Sequence, residues 1–271
     1  MSQPIITEDA LRYGFTIAPV GTHTSKTMML AELTRLLAAS PPETGYAEMR
    51  RLVVDANVTL KATAVTRRDT FNRLAQLYAL RLEKIVFRAL RDLWDLNVEE
   101  RPALAILCAL ARDPLLRATA PIVLDAEEGA AVTPQMLEAA VESAYPGRYS
   151  PVVRASTGRH TISSWAQSGH LVGHRTKTRV RLHPGPAATA YALLLGYLCG
   201  DRGVALLDTF WAGVLDTTPT AVDGLAFAAH QRGWLTYRRI GNIAEIDFRF
   251  LLRPESNVES NVESNVVLAS P

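Results

Sequence analysis

In the stretch HRTKTRVRLHPGP, residues 174–186, Arg175, Lys177, Arg179 and Arg181 occur at every second position. Successive side chains of a β-strand point to opposite faces, so a strand here lines four cations along one edge and turns Val180 and Leu182 toward a core. That alternation suits a ribbon laid along an anionic backbone. Between Glu142 and Asp201 the chain contains no Asp or Glu, yet Arg148, Arg154, Arg159, His160, His170, His174 and His183 lie in the same interval. Residues 61–91 form a second basic region, with Lys61, Arg67, Arg68, Arg73, Arg81, Lys84, Arg88 and Arg91 against Asp69 and Glu83. The net charge is only +2, so the distribution of charge is what informs.

Other chemistries find little support. His170 and His174 are four apart, but Leu-Val-Gly between them reads as a helix-to-strand turn and no third ligand is placed, so no metal is expected. There is no GxxxxGK[ST], no GxSxG and no pair of carboxylates beside the basic strand. The chain therefore reads as non-enzymatic, with no catalytic residues and no cofactor. Trp94, Trp165, Trp211 and Trp234 have apolar flanks and read as core. Cys108 and Cys199 lie in apolar helical surroundings, which suits reduced, buried thiols and a cytoplasmic protein. No signal peptide is expected from MSQPIITEDA, and the longest apolar run, residues 187–200, is shorter than the ~20 residues a membrane span needs.

The elements that must position these cations are mainly helices, read near 25–39, 45–56, 66–80, 83–96, 102–112, 114–124, 134–145, 159–168, 187–199, 203–215 and 219–232. Asp113-Pro114, Thr133-Pro134, Ser150-Pro151 and Thr218-Pro219 each place proline at a first helical position. In TRRDTFNRLAQLYAL, Thr66 and Asp69 make a capping box, and Phe71, Leu74, Ala75 and Tyr78 form the buried stripe. Asn72, Arg73 and Gln76 then face outward, and Arg67 and Arg68 in the first turn oppose the helix dipole, a conflict a phosphate would relieve. With the preceding amphipathic helix this resembles a helix-turn-helix, with Lys61 in the connection. The bland alternative is a solvated basic helix in a bundle.

A second unit runs from SPVVRASTGRHTISSWAQSGHLVG into the opening strand. Thr157-Gly158 is expected to break one short helix from the next, leaving His160, Thr161, Ser163, Ser164 and Gln167 outside, beside Arg154 and Arg159. A basic ribbon after such a helix is a winged-helix arrangement; a guarded edge strand is the bland alternative. In GWLTYRRIGNIAEIDFRF, Gly241-Asn242 supplies a type II′ turn that pairs Ile240 with Ile243, Tyr237 with Ile246, Leu235 with Phe248 and Arg238 with Glu245. This third unit reads as packing or protein contact, with Arg232, Arg238 and Arg239 as alternative nucleic-acid contacts. The last residues repeat ESNV at Glu255, Glu259 and Glu263, a composition expected to stay disordered.

The segments LKATAVTRRDTFNRLAQLYAL, ALAILCALARDPLLR, TISSWAQSGHL and GWLTYRRIGNIAEIDF, spread over about residues 25–250, resemble the BrxA proteins of BREX bacteriophage-exclusion systems. The resemblance implies a mainly helical, non-enzymatic defence component with helix-turn-helix or winged-helix features and double-stranded DNA binding. It also implies partners: a DNA methyltransferase, an alkaline-phosphatase-like protein and an ATPase. The ESNV tail departs from that family. The expected organisation is an extension (1–24), a helix-turn-helix domain (25–125), a winged-helix unit with a basic wing (126–186), a helical winged-helix unit (187–252) and a tail (253–271). DNA contact is expected from Lys61, Arg67, Arg68, Asn72, Arg73, Gln76, Arg154, Arg159, His160, Ser163, Ser164, Gln167, Arg175, Lys177, Arg179 and Arg181. The alternatives are a protein-interaction scaffold of the defence complex and an RNA-binding helical protein.

Overall fold

A computed structural model describes residues 3–241 and 243–253. The protein is mainly helical, with a few short antiparallel strand pairs. In the extension, Thr7 caps a helix α1 (Glu8–Tyr13) that the sequence reading did not foresee, and a 3-10 turn covers Thr22–Thr24. Helices α2 (Leu30–Ala38), α3 (Tyr46–Val54), α4 (Ala64–Tyr78) and α5 (Ile85–Trp94) follow. α4 starts three residues earlier than its capping-box pattern indicates. Thr63, not Thr66, is the cap and accepts from the Thr66 N–H at 3.1 Å, so Asp69 is free to pair with Lys26 at 3.2 Å. Arg67 thereby falls at the end of the first turn and Arg68 beyond it.

The core is built on α6 (Arg101–Arg112) and α11 (Pro186–Cys199). Residues 103–111 of α6 are all buried, and so are nearly all of 187–199 in α11, as expected for helices apolar on every side. No single helix among the described residues is long and apolar enough to cross a membrane. The buried apolar side chains form one cluster running from Ala10 to Leu251.

Between the two core helices lies α7 (Pro114–Ala118), α8 (Ala120–Leu124), β1 (Ala131–Val132), α9 (Pro134–Ala144), α10 (Pro151–Gln167), β2 (Leu171–Val172) and β3 (Lys177–Arg179). Asp113, Thr133 and Ser150 each accept a backbone N–H of the helix they precede, as their proline pairs indicate. Pro121, which has no N–H to donate, separates α7 from α8. α10 is continuous through Thr157-Gly158, against the expected break. Gly158 serves packing instead: a Cβ there would lie 2.4 Å from the Pro134 carbonyl oxygen, so only glycine lets α9 and α10 approach so closely. β3 is the centre of an antiparallel sheet of order β1-β3-β2, with Leu171 opposite Arg179 and Val132 opposite Lys177.

After α11, a 3-10 turn (Gly203–Asp208) and α12 (Phe210–Val214) replace the single helix read over 203–215. α13 (Pro219–Gln231) is capped by Thr218, and β4 (Thr236–Ile240) pairs with β5 (Ile243–Asp247). Ile240 is opposite Ile243, Tyr237 opposite Ile246 and Arg238 opposite Glu245, in the expected register. The ladder ends at Thr236 opposite Asp247, and Leu235 and Phe248 just beyond it are both buried. Gly241 has φ 57°, the positive value that both two-residue hairpin turns, types I′ and II′, place at their first central residue. A last turn, α14 (Arg249–Leu252), leads to Arg253, which grips Asp92 of α5 with two bonds of 2.8 Å. The ESNV repeats lie outside the described residues.

Candidate nucleic-acid interface

On α4, Arg68 and Asn72 stand exposed, with no side-chain partner among the described residues. The neighbouring candidates are occupied. Lys61 pairs with Glu32 at 2.6 Å; burial alone would raise the Glu32 carboxyl, but the bonds from Lys61 and backbone hold it below its ordinary value. Arg67 donates to the Val54 carbonyl at 3.2 Å. Arg73 and Gln76 are half-buried rather than outward: Arg73 donates to Asp69 and Gln76, each at 3.4 Å, and Gln76 also accepts from the Thr22 hydroxyl at 2.9 Å.

α10 presents less than its sequence suggests. Arg159 is exposed and unpaired among the described residues, and Ser163, half-buried, donates to the Arg159 carbonyl at 2.9 Å. Arg154 is bound to Glu142 at 2.8 Å and lies 3.7 Å from Glu138, so its charge is neutralised by α9. The His160–Ser164–Gln167 face, expected outside, is covered by the segment around the Thr22–Thr24 turn. Ser164 and Thr161 are wholly buried, and Gln167 accepts from the Leu30 N–H at 3.2 Å. His160 is half-buried, its Nδ1 3.0 Å from the His23 carbonyl, and burial, then the neighbouring His23, Arg159 and Lys26, lower its pKa.

The residue responsible for this cover is His23. Its Nδ1 lies 2.7 Å from Asp113 and its Nε2 2.8 Å from Ser164 Oγ, with all three side chains buried. The order Ser–His–Asp is that of an acyl-transfer triad, but Ser164 donates its one proton to the His160 carbonyl at 2.9 Å and accepts from the Met28 N–H at 2.8 Å. The hydroxyl is held inside a wholly buried network rather than presented at a surface. Burial would raise the Asp113 carboxyl, but His23 and the backbone N–H groups bonded to it hold it below its ordinary value. The network ties the chain's start to α7 and α10. Nothing local in the sequence announces it, since its members lie at positions 23, 113 and 164.

The predicted four-cation edge divides in two. Arg175 is exposed without a partner among the described residues, and Lys177 is half-buried with its ammonium donating to the Gly173 carbonyl. Arg179 is 0% exposed, donating to Asp216 at 2.6 Å and to the His170 and Val180 carbonyls, so it cannot meet a phosphate. Arg181 shares the same carboxylate at 2.7 Å, and Asp216 also accepts from the Leu182 N–H at 2.9 Å. Burial would raise the Asp216 carboxyl; Arg179, the Leu182 N–H and Arg181 together lower it. The counter-charge absent from the local sequence comes from the turn after α12. His170 is buried with both ring nitrogens bonded, to Ser168 at 2.8 Å and to the Val214 carbonyl at 2.9 Å.

No protein-family model and no curated protein matches this chain. Of the expected contact residues, Arg68, Asn72, Arg159 and Arg175 are exposed and outside ion pairs, and Ser163 and Lys177 are half-buried with side chains bonded only to the carbonyl four residues before them. Lys26, which the sequence reading passed over, joins the two basic helices: it pairs with Asp69 of α4 and its charge reaches His160 of α10.

Proposed function

We propose that residues 120–180 form a winged helix that binds double-stranded DNA mainly through the phosphate backbone. The observation that carries this reading is topological. The chain order helix, strand, helix, helix, strand, strand, with the first strand on the last, is that of a winged helix, and it makes α10 the docking helix and the turn between β2 and β3 the wing. Arg159 and Ser163 belong to that helix; Arg175 and Lys177 belong to that wing. Arg68 and Asn72 of α4 are a second, helix-turn-helix-like contact.

Three cations in one unit imply a smaller footprint than the full basic ribbon would. Neutralising three phosphates gives a slope of about −3 in log affinity against log salt. B-form duplex is favoured over RNA, because the deep, narrow major groove of A-form RNA does not admit a helix. The four BrxA-like segments support placing the protein in phage defence, beside a methyltransferase, a phosphatase-like protein and an ATPase. The test is fluorescence anisotropy with a labelled duplex over a salt series, comparing wild type with Arg159→Ala, Arg175→Ala and Lys177→Ala combined. The triple variant is expected to bind unrelated sequences uniformly more weakly, with a slope flatter by about 2 to 3. A folded triple variant with unchanged affinity refutes the reading.

A second reading, a scaffold for protein contact, is favoured at the other hairpin. Ile240 and Ile243 are 85% and 77% exposed at the tip of β4–β5, an apolar pair that a DNA backbone does not need. Absence of DNA binding at low salt, with co-purification of defence proteins lost in Ile240→Ser/Ile243→Ser, would establish it.

A further inference from the structure

Three arginines are buried: Arg91, Arg117 and Arg179. Arg91 has Asp95 at 2.7 Å, and Arg179 has Asp216 at 2.6 Å. Arg117 has no carboxylate within ion-pair reach among the described residues. Its guanidinium donates to the carbonyls of Leu110 at 2.6 Å, Ala111 at 3.4 Å and Thr16 at 2.8 Å, closing the C-terminal end of α6. Those carbonyls carry partial charge only. Asp113, whose charge still acts on Arg117 without contacting it, is engaged by His23 and by the Leu115 and Leu116 N–H groups.

Arg117 also lines a cavity. About 630 Å3 in volume, the cavity lies under the N-terminal segment, between α8 and α9. Its walls are apolar, with Ile6, Ile17, Ile122, Met136 and Ala140 among them; its polar side chains are Gln3, Arg117, Ser143 and Tyr145, with no Asp or Glu. The volume falls within the range of about 300–1,000 Å3 that holds small organic ligands. A buried cation with no carboxylate in direct contact, beside a phenol and a hydroxyl at an otherwise apolar cavity, is complementary to one kind of molecule. We propose that this cavity binds a small amphipathic carboxylate, with its carboxylate on Arg117 and Tyr145 and its apolar body along α8 and α9.

Burial lowers the pKa of Arg117, and it raises that of Tyr145 against the lowering pull of Arg117, so an arriving anion would stabilise the charged guanidinium. Unlike the DNA reading, this proposal needs none of the exposed cations, and the two stand or fall separately.

The test is calorimetric titration of the full chain with octanoate, octan-1-ol and octyltrimethylammonium as probes. Octanoate is expected to bind saturably at millimolar or lower concentration, the alcohol about tenfold or more weaker, and the ammonium not at all. Arg117→Lys removes carbonyl bonds and can fail to fold, so the cavity is blocked independently with Ala139→Trp, at an exposed position of its wall. That variant is expected to keep the wild-type melting temperature and lose octanoate binding, while Tyr145→Phe weakens it several-fold. Absence of saturable octanoate binding, equal binding of all three probes, or undiminished binding by Ala139→Trp each overturns the proposal.

Discussion

The hairpin β2–β3 carries a charge into the protein, whereas β4–β5 keeps its charges at the surface. On β3, Arg179 is wholly buried against Asp216, whose side chain is itself 3% exposed. On β4, Arg239 makes the same kind of pair with Asp223 at 2.9 Å, but both side chains remain about a third exposed. In β4–β5, Tyr237 points inward and an unbroken five-pair ladder sets which side chains face the core. Two residue pairs join β2 to β3, too few for alternation to decide. There the ion pair fixes the strand, because losing the carboxylate would leave the desolvated Arg179 charge uncompensated.

The sharpest way to break this contrast is Asp216→Asn. Asparagine tolerates the left-handed backbone at this position, φ 60°, so the change removes charge with little strain. Arg179 would be left buried and unpaired, and a loss of about 3–5 kcal/mol is expected in urea unfolding. Arg179→Met in the same background should recover much of it, because the uncompensated charge is gone. A loss below about 1 kcal/mol would mean that Arg179 reaches water in solution and the hairpin is not anchored as described.

His170, beside this ion cluster, makes the anchor sensitive to acid. Burial depresses its pKa from the ordinary 6.5 to about 4, so the folded protein keeps it neutral while the unfolded chain takes up a proton. The stabilising contribution is complete above pH 6.5 and is lost as pH falls toward 4, by up to about 3 kcal/mol. Melting temperatures measured across that window should fall steeply for wild type and less for His170→Asn. Below it, the depressed carboxyls of Asp113 and Asp216 add further loss as they protonate.

Gly158→Ala probes how closely the helices behind the first hairpin must pack. The added methyl group meets a backbone carbonyl, which cannot rotate away, so α9 must shift. A cost of about 1–3 kcal/mol is expected from thermal unfolding, and on the reading proposed above any displacement of α10 would also weaken docking on DNA. This glycine also shows what local sequence conceals. Flanked by Thr157 it reads as a helix breaker, and only the arrival of Pro134 gives it a purpose inside a helix.

What was legible follows the same division. Thr133, Ser150 and Thr218, each followed by proline, announced three helix starts, because a cap needs only residues within one turn. Gly241 announced a turn and its register for the same reason. Asp216 and His23 were invisible: each acts on residues far away in the chain, and a charge or imidazole in isolation carries no sign of its partner. Of the candidate contacts, Arg159 and Arg175 remained exposed, while Arg179 and Ser164 were claimed by those distant groups.

Asp223→Asn supplies the mild half of the comparison. Asp223 bonds both Arg239 and the Tyr237 hydroxyl, and it raises the phenol's pKa to about 12, after the larger effect of burial. Arg239 is nevertheless solvated enough to tolerate losing the charge, so the expected cost is about 1 kcal/mol or less. The loss should shrink further in high salt, which screens an exposed pair and leaves a buried one nearly untouched. Asp216→Asn should therefore show little salt dependence beside it. If the two variants responded alike to salt, the distinction between a strand held by its ion pair and one held by its ladder would fail, since both carboxylates would then be acting through water.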